Sequence, residues 1–196
     1  ALSHHLAVAR GVLCTPEQVV ITEGAQEALA LCVRLVANPG DTAWLEDPGY
    51  RGAQTAFACG DMNLVPMPVD GSGLAVPEGA WTAQPPRLVY TSPSHQYPTG
   101  AVLSAARRLA LIQQAQRHGA WLIEDDYDSE FLYDHQPTPA LQGLDEQGQV
   151  VYIGTFSKSL FPSVRLAYMV LPEALVAPLV TARTIYDGHP SQPMQA

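Results

Sequence analysis

Short apolar runs alternate with amphipathic stretches along almost the whole chain, and this alternation restricts it to an α/β fold. The strand candidates are Val19–Thr22, Thr42–Glu46, Leu64–Pro66, Arg87–Thr91, Trp121–Asp125, Val150–Thr155 and Leu166–Leu171. Several are apolar without interruption, as strands covered on both faces are, so the sheet is expected to be mostly parallel with helices on either side. The helix candidates are Gly24–Ala37, Pro48–Cys59, Ser104–His118 and Pro172–Tyr186. Their ends have local causes. Asn38-Pro39-Gly40-Asp41 stops the first. Ser104 is placed to cap the third, with Gly119 at its C′ position. Pro172 suits a first turn, where its missing N–H costs little. Met67–Pro86 is polar and rich in Pro and Gly, which predicts a surface excursion. Ala1–Ala9 reads as the tail of a helix, so residues 1–12 are expected to be a truncated N-terminal helix, 13–187 one domain, and 188–196 a truncated connection.

Composition narrows the function classes. Apolar residues make up 47% of the 196, which excludes disorder and allows a sizeable core. Charged residues are only 15%, so much of the surface is expected to meet another domain or subunit. The formal net charge of −9 is the wrong sign for a duplex-binding face, so this segment by itself is a poor nucleic-acid binder. No apolar run is long enough for a bilayer and no secretory signal is visible, so no membrane partner is expected. Cys14, Cys32 and Cys59 are odd in number and form no CxxC, which fits reduced thiols and a cytoplasmic location. The basic residues are nine arginines and one lysine, Lys158.

That lysine lies in Gly154-Thr155-Phe156-Ser157-Lys158-Ser159-Leu160-Phe161-Pro162-Ser163-Val164-Arg165. An amine at the end of an apolar strand sits where desolvation can lower its pKa and where it can form a Schiff base with a carbonyl. Arg165 can hold an anion beside it, and the hydroxyls of Thr155, Ser157 and Ser159 can complete a phosphate cradle. A solvated surface lysine is the alternative. In Leu122-Ile123-Glu124-Asp125-Asp126-Tyr127-Asp128-Ser129-Glu130-Phe131, a strand runs into five acids within seven residues. Ligands of open α/β sheets sit beyond strand carboxyl ends, where an acid can hold a metal or a protonated ring nitrogen. A metal is not supported, since no histidine shares the segment and His135 is isolated. At Thr22-Glu23-Gly24-Ala25-Gln26 a strand turns through glycine into a helix whose first N–H groups can receive a phosphate. Ser92-Pro93-Ser94-His95-Gln96-Tyr97-Pro98-Thr99-Gly100 and Glu46-Asp47-Pro48-Gly49-Tyr50 are further post-strand loops, the second offering an aromatic face. Each alone fits an ordinary loop. Together they can share one rim of the sheet, and they supply the parts that pyridoxal phosphate needs: an amine, an acidic partner for the ring nitrogen, a phosphate cup and an aromatic platform.

The order GAQEAL, EDPGY, SPSHQYPTG, IEDDYDSEF and GTFSKSLFPSVRLAY resembles fold-type I pyridoxal-phosphate aminotransferases, and most of all the aminotransferase-like domain of MocR-type regulators of the GntR family. The resemblance runs from about Cys14 to Tyr186. It implies a three-layer large domain with a mostly parallel central sheet over residues 13–187, and a connection over 188–196 toward a C-terminal small domain outside this chain. It implies an internal aldimine on Lys158, Asp125 against the pyridine nitrogen, and Tyr127 hydrogen-bonded to the ring's phenolic oxygen. These three would be the catalytic positions. Cofactor binding would also involve Gly24, Ala25, Gln26, Tyr50, His95, Tyr97, Thr155, Ser157 and Arg165, with Tyr50 stacked on the ring. Typical aminotransferases carry Asn-Pro-Thr-Gly where this chain has Tyr97-Pro98-Thr99-Gly100, which removes a donor to the ring oxygen. The implied function is therefore effector sensing in a transcriptional regulator, by an external aldimine with an amine or amino acid. Turnover as an aminotransferase on an amino acid and a 2-oxo acid is the alternative. A homodimer is implied for the full-length protein, with DNA contacted only through a winged-helix domain absent from this chain.

Overall fold

The computed structural model describes residues 1–128, 139–158 and 162–186. The strands are β1 (Val19–Thr22), β2 (Thr42–Asp47), β3 (Asn63–Asp70), β4 (Gly73–Leu74), β5 (Leu88–Thr91), β6 (Trp121–Asp126), β7 (Val150–Thr155) and β8 (Ala167–Val170). The helices are α1 (Leu2–Arg10), α2 (Ala25–Val36), α3 (Arg51–Ala58), α4 (Ala80–Ala83), α5 (Ala105–His118), α6 (Leu141–Leu144) and α7 (Glu173–Tyr186). The strands form one sheet in the order β1-β8-β7-β6-β5-β2-β3-β4. Strands β3, β2, β5, β6 and β7 are parallel neighbours. β8 runs against both β7 and β1. The carboxyl ends of β1, β2, β5, β6 and β7 therefore share one rim of the sheet.

Period-two alternation along the central strands feeds two apolar layers. Leu45, Tyr90, Ile123, Val151, Ile153 and Met169 meet Leu29, Val33 and Phe57 of α2 and α3 and Leu175 and Leu179 of α7. Trp44, Val89, Leu122 and Val150 meet Leu111, Ile112 and Ala115 of α5. Leu6 of α1 covers Tyr152, Tyr168 and Val170. With helices on both faces, this is the three-layer α/β arrangement that the uninterrupted apolar strands predict. Ser104 caps α5 by accepting from the Arg107 N–H at 3.4 Å, and Gly119 closes it with N–H bonds to the Ala115 and Gln116 carbonyls. Among the described residues no helix is long and apolar enough to cross a membrane.

Most of Met67–Pro86 lies at the surface as expected, but its first residues belong to the sheet rather than to a loop. β3 continues through Pro66 and Pro68 to Asp70 and pairs with β4, and Met67 and Leu74 are buried. The prolines are tolerated because alternate residues of β3 face opposite ways. The Asn63 N–H bonds toward β2, at the Asp41 carbonyl, whereas the Pro68 carbonyl faces outward and accepts from Ala75 N–H. Pro66 and Pro68 thus turn their nitrogens away from β2, where no donor is needed. The expected connection over 188–196 lies outside the described residues.

Candidate functional site

A cavity of about 370 Å³ opens at the shared rim, lined by Gly24, Ala25, Gln26, Tyr50, Tyr90, Tyr97, Asp125, Tyr127, Thr155, Ser157, Lys158 and Arg165. A groove of similar size, about 350 Å³, lies beside Trp81, but its charged groups are only Glu78 and Arg107. Arg107 is occupied by Asp70 at 2.6 Å. Of these two, the rim cavity is the one that combines an amine, a carboxylate, hydroxyls and a helix N-terminus.

The acid run of β6 is sorted by strand geometry, since successive side chains leave opposite faces. Glu124 turns to one layer, where its two oxygens accept the Leu141 and Gln142 N–H groups at 2.8 and 2.9 Å. Burial and the neighbouring Asp126 push it up to about 7. Asp126 accepts from Arg10 Nε at 2.7 Å and from the Tyr152 hydroxyl at 2.5 Å. Asp125 alone of the three turns toward the cavity. Its Oδ2 accepts the Tyr90 hydroxyl at 2.5 Å, while its Oδ1 is buried with no hydrogen-bond partner. Burial pushes Asp125 up to about 6; the Tyr90 hydrogen bond opposes this, and the nearby Asp126, Glu46 and Asp128 carboxylates add to it. A buried oxygen with no donor is costly, and a donor entering the cavity relieves it.

At the opposite wall, β1 ends and the chain turns through Gly24 at φ 90° into α2. The first N–H groups of that helix have no carbonyl a turn earlier, so Ala25 and Gln26 present donors and the positive end of the helix dipole. Glycine is required at position 24 by its backbone angle, and the space beside it is tight. A Cβ there would lie 3.1 Å from Arg165 Nη2. Arg165 leans over this turn and donates to the Glu23 carbonyl at 3.4 Å. Thr155 closes β7, and its Oγ1 accepts the Ser157 N–H at 3.1 Å. Lys158 is exposed at this edge, the solvated placement that its sequence context leaves open. Ser159 lies outside the described residues.

Aromatic rings form the remaining wall. Tyr50 folds back over Gly52, where a Cβ would fall 2.3 Å from its Cζ, and its hydroxyl donates to Gln26 Oε1 at 3.4 Å. Tyr50 and Tyr97 meet edge to face at 6.3 Å, as do Tyr97 and Tyr127. Burial and Asp128 hold the Tyr127 hydroxyl above its usual range.

Of the twelve site residues named from the sequence, eleven line this cavity. His95 lies outside that lining. It stacks behind Tyr127 with centroids 6.0 Å apart, and its Nδ1 is drawn back onto Asp128 Oδ2 at 2.5 Å. Tyr90 was missed. Its place one residue before the end of an otherwise apolar strand gave it the appearance of a core residue, and it is indeed 1% exposed.

The whole chain, residues 1–196, matches the family described as aminotransferase class I and II. It is similar to the probable rhizopine catabolism regulatory protein MocR of Rhizobium meliloti, at 41% identity over all of this chain and 39% of that protein. It is similar to the uncharacterized HTH-type transcriptional regulator YdeL of Bacillus subtilis, at 44% identity over 89% of this chain and 37% of that protein. The chain thus spans about two fifths of the length of these curated relatives. Among solved structures, LysN, the α-aminoadipate aminotransferase of Thermus thermophilus complexed with N-(5'-phosphopyridoxyl)-L-leucine, superposes with a TM-score of 0.87 at 34% identity, over 99% of this chain and 51% of that one. The lysine, carboxylate and helix terminus at one rim agree with the match along the full sequence: this chain belongs to the class I and II aminotransferase family.

Proposed function

We propose that this chain is the pyridoxal-phosphate-binding, effector-sensing domain of a MocR-type transcriptional regulator. The observation that carries the reading is the buried, partnerless Oδ1 of Asp125 in the cavity that Lys158 and the α2 N-terminus also line. A protonated ring nitrogen is the donor this oxygen lacks, so the residues present fit the group. Lys158 is the attachment point for its aldehyde. The Tyr127 hydroxyl serves the ring's phenolic oxygen, and Tyr50 covers one face of the ring. The Ala25 and Gln26 N–H groups, the Thr155 and Ser157 hydroxyls and the Arg165 guanidinium hold the phosphate. When bound, pyridoxal phosphate supplies an aldehyde that condenses with primary amines and a ring that withdraws electrons.

The similarity to regulators at 41% and 44% identity supports sensing rather than turnover. A small amine or amino acid is the effector class, because Lys158 would hold an aldehyde in this cavity, and an aldehyde is a group that primary amines recognise. Such a ligand shifts domain arrangement only through different affinity for the two states. DNA contact is assigned to a winged-helix segment outside these residues, and a homodimer is the expected assembly. The second reading is a transaminase acting on an amino acid and a 2-oxo acid, favoured by the superposition on LysN. Tyr97, in place of the asparagine of typical aminotransferases, argues against it.

The test is a visible spectrum of the full-length protein with pyridoxal phosphate, before and after a panel of amines. A visible band lost in Lys158→Ala, a spectral change with amine and a shift in DNA affinity are expected. Borohydride should trap the label on the peptide holding Lys158, the one lysine of this segment. Label trapped elsewhere, or no band at all, overturns the reading. Steady 2-oxo acid formation moves it to the transaminase.

A further inference from the structure

Glu46 and Gln96 do not line the cavity, yet they join two of its walls. Glu46 ends up 2% exposed near the carboxyl end of β2, and Gln96 is 1% exposed in the loop after β5. Four donor groups converge on the Glu46 carboxylate. Thr91 Oγ1 reaches Oε1 at 2.5 Å, the Ser92 N–H reaches both oxygens at 3.3 Å, and Ser92 Oγ and Gln96 Nε2 reach Oε2 at 3.0 and 3.1 Å. The two hydrogens of Gln96 Nε2 are shared between Glu46 and two nearer acceptors, the Pro48 carbonyl at 2.9 Å and the Tyr97 carbonyl at 2.6 Å. The other end of the amide is fixed as well, because Oε1 accepts the Thr99 N–H at 3.2 Å and the Thr99 hydroxyl at 2.6 Å. With Thr99 supplying donors on one side and carbonyls and a carboxylate waiting on the other, the amide has one satisfied orientation.

Pro48 lies in the turn that delivers Tyr50, and Tyr97 follows Gln96 directly. One buried side chain therefore links the two backbones whose tyrosines face each other edge to face at 6.3 Å. We propose that Gln96, anchored on the Glu46 carboxylate, is the positioning residue that sets the gap between Tyr50 and Tyr97, and with it the width of the slot offered to a flat ring. The inference rests on reading the cavity as a pyridoxal phosphate site. Its consequence is asymmetric: loosening Gln96 widens the aromatic side of the slot while leaving Lys158, Asp125 and the phosphate cup in place.

The experiment compares wild type with Gln96→Met and Thr99→Val in the full-length protein. The second variant removes the hydroxyl that donates to the amide and also accepts the Ala101 N–H at 3.3 Å, so its reading rests on residues 48–54, and it keeps the test open if the first does not fold. Hydrogen exchange is read first, on cofactor-free protein. Both variants should speed exchange by about tenfold in residues 92–101 and also in the sequence-distant turn at 48–54, with β6 and β7 unchanged. Visible circular dichroism is read second, at full loading with pyridoxal phosphate. The band should lose about half its intensity or more, since a ring free to tilt feels a less fixed surrounding. Faster exchange confined to residues 92–101, or full dichroism in a fully loaded variant, overturns the proposal. If wild type takes up no pyridoxal phosphate, the cofactor reading fails on its own, and the exchange measurement still decides the linkage.

Discussion

The hydroxyl of Tyr90 donates to Asp125 Oδ2 at 2.5 Å, while the other oxygen of the same carboxylate is enclosed and unmatched. If a ligand donor meets that oxygen, as proposed, this half-satisfied acid would tie stability to ligand uptake. The cofactor-free protein bears the cost of an ionised buried group that only a guest can complete.

Asp125→Asn should separate these two effects. Burial lifts Asp125 from 3.8 to about 6 in the folded protein. Between those values the folded state holds a proton that the unfolded chain has released, so stability falls as pH rises through that window. At ~1.4 kcal/mol per pH unit, the loss approaches ~3 kcal/mol by neutral pH. The cofactor-free variant should melt at a higher temperature than wild type at pH 7.5, with a smaller gain at pH 5. Its pyridoxal phosphate affinity should fall by about tenfold or more. A variant that melts below wild type at pH 7.5 would contradict the account.

Tyr90→Phe should destabilise by ~1–3 kcal/mol, because both Asp125 oxygens then lack a donor. The hydrogen bond favours the ionised carboxyl, so the cost should be larger at pH 8 than at pH 5. Urea midpoints at the two pH values measure this, and a cost independent of pH would separate Tyr90 from the ionisation of Asp125.

Arg10→Met should cost ~3–5 kcal/mol, since it strands Asp126 inside the fold. Arg10 is 7% exposed, and besides Asp126 it reaches Ser94 Oγ at 2.6 Å. Adding Asp126→Leu should recover part of the loss, as replacing both partners of a buried pair by apolar groups often does. A double-mutant cycle read by denaturant unfolding shows a positive coupling if the pair acts as a unit, and additive losses if it does not.

Gly24→Ala forces a Cβ to 3.1 Å from the Arg165 guanidinium at a backbone angle that L-residues rarely adopt. The backbone strain should cost ~1–3 kcal/mol. Binding of pyridoxal phosphate should weaken by about tenfold while that of pyridoxal, which carries no phosphate, stays near wild type. Equal weakening of both would place the defect outside the phosphate cup.

Much of this was legible in the residues because it depends on local causes. Uninterrupted apolar strands announced the covered sheet, and Ser104 and Gly119 announced the limits of α5. The site was readable because each candidate followed a strand, and strands running the same way end at the same rim. What stayed hidden depends on partners far apart in sequence. Nothing local marks Arg108 as a core residue, yet it is fully buried, with its guanidinium on the Leu103, Pro93 and Pro139 carbonyls. The pairing of His95 with Asp128 is hidden as well, because nothing local in the sequence joins them. Glu46 and Gln96 sat inside recognised motifs, but their linkage exists only once β2 and β5 are side by side. β3 reads as shorter from the sequence because proline argues against a strand until its nitrogens are known to point away from β2.

The antiparallel return from β7 into β8 puts Lys158 and Arg165 on a single hairpin connection. On the proposed reading, the handle for an aldehyde and the clasp for an anion would therefore travel as one cassette. Lengthening or trimming that connection resets the distance between them in one stroke, so a descendant of this fold that abandons its prosthetic group can lose both grips through one change in loop length.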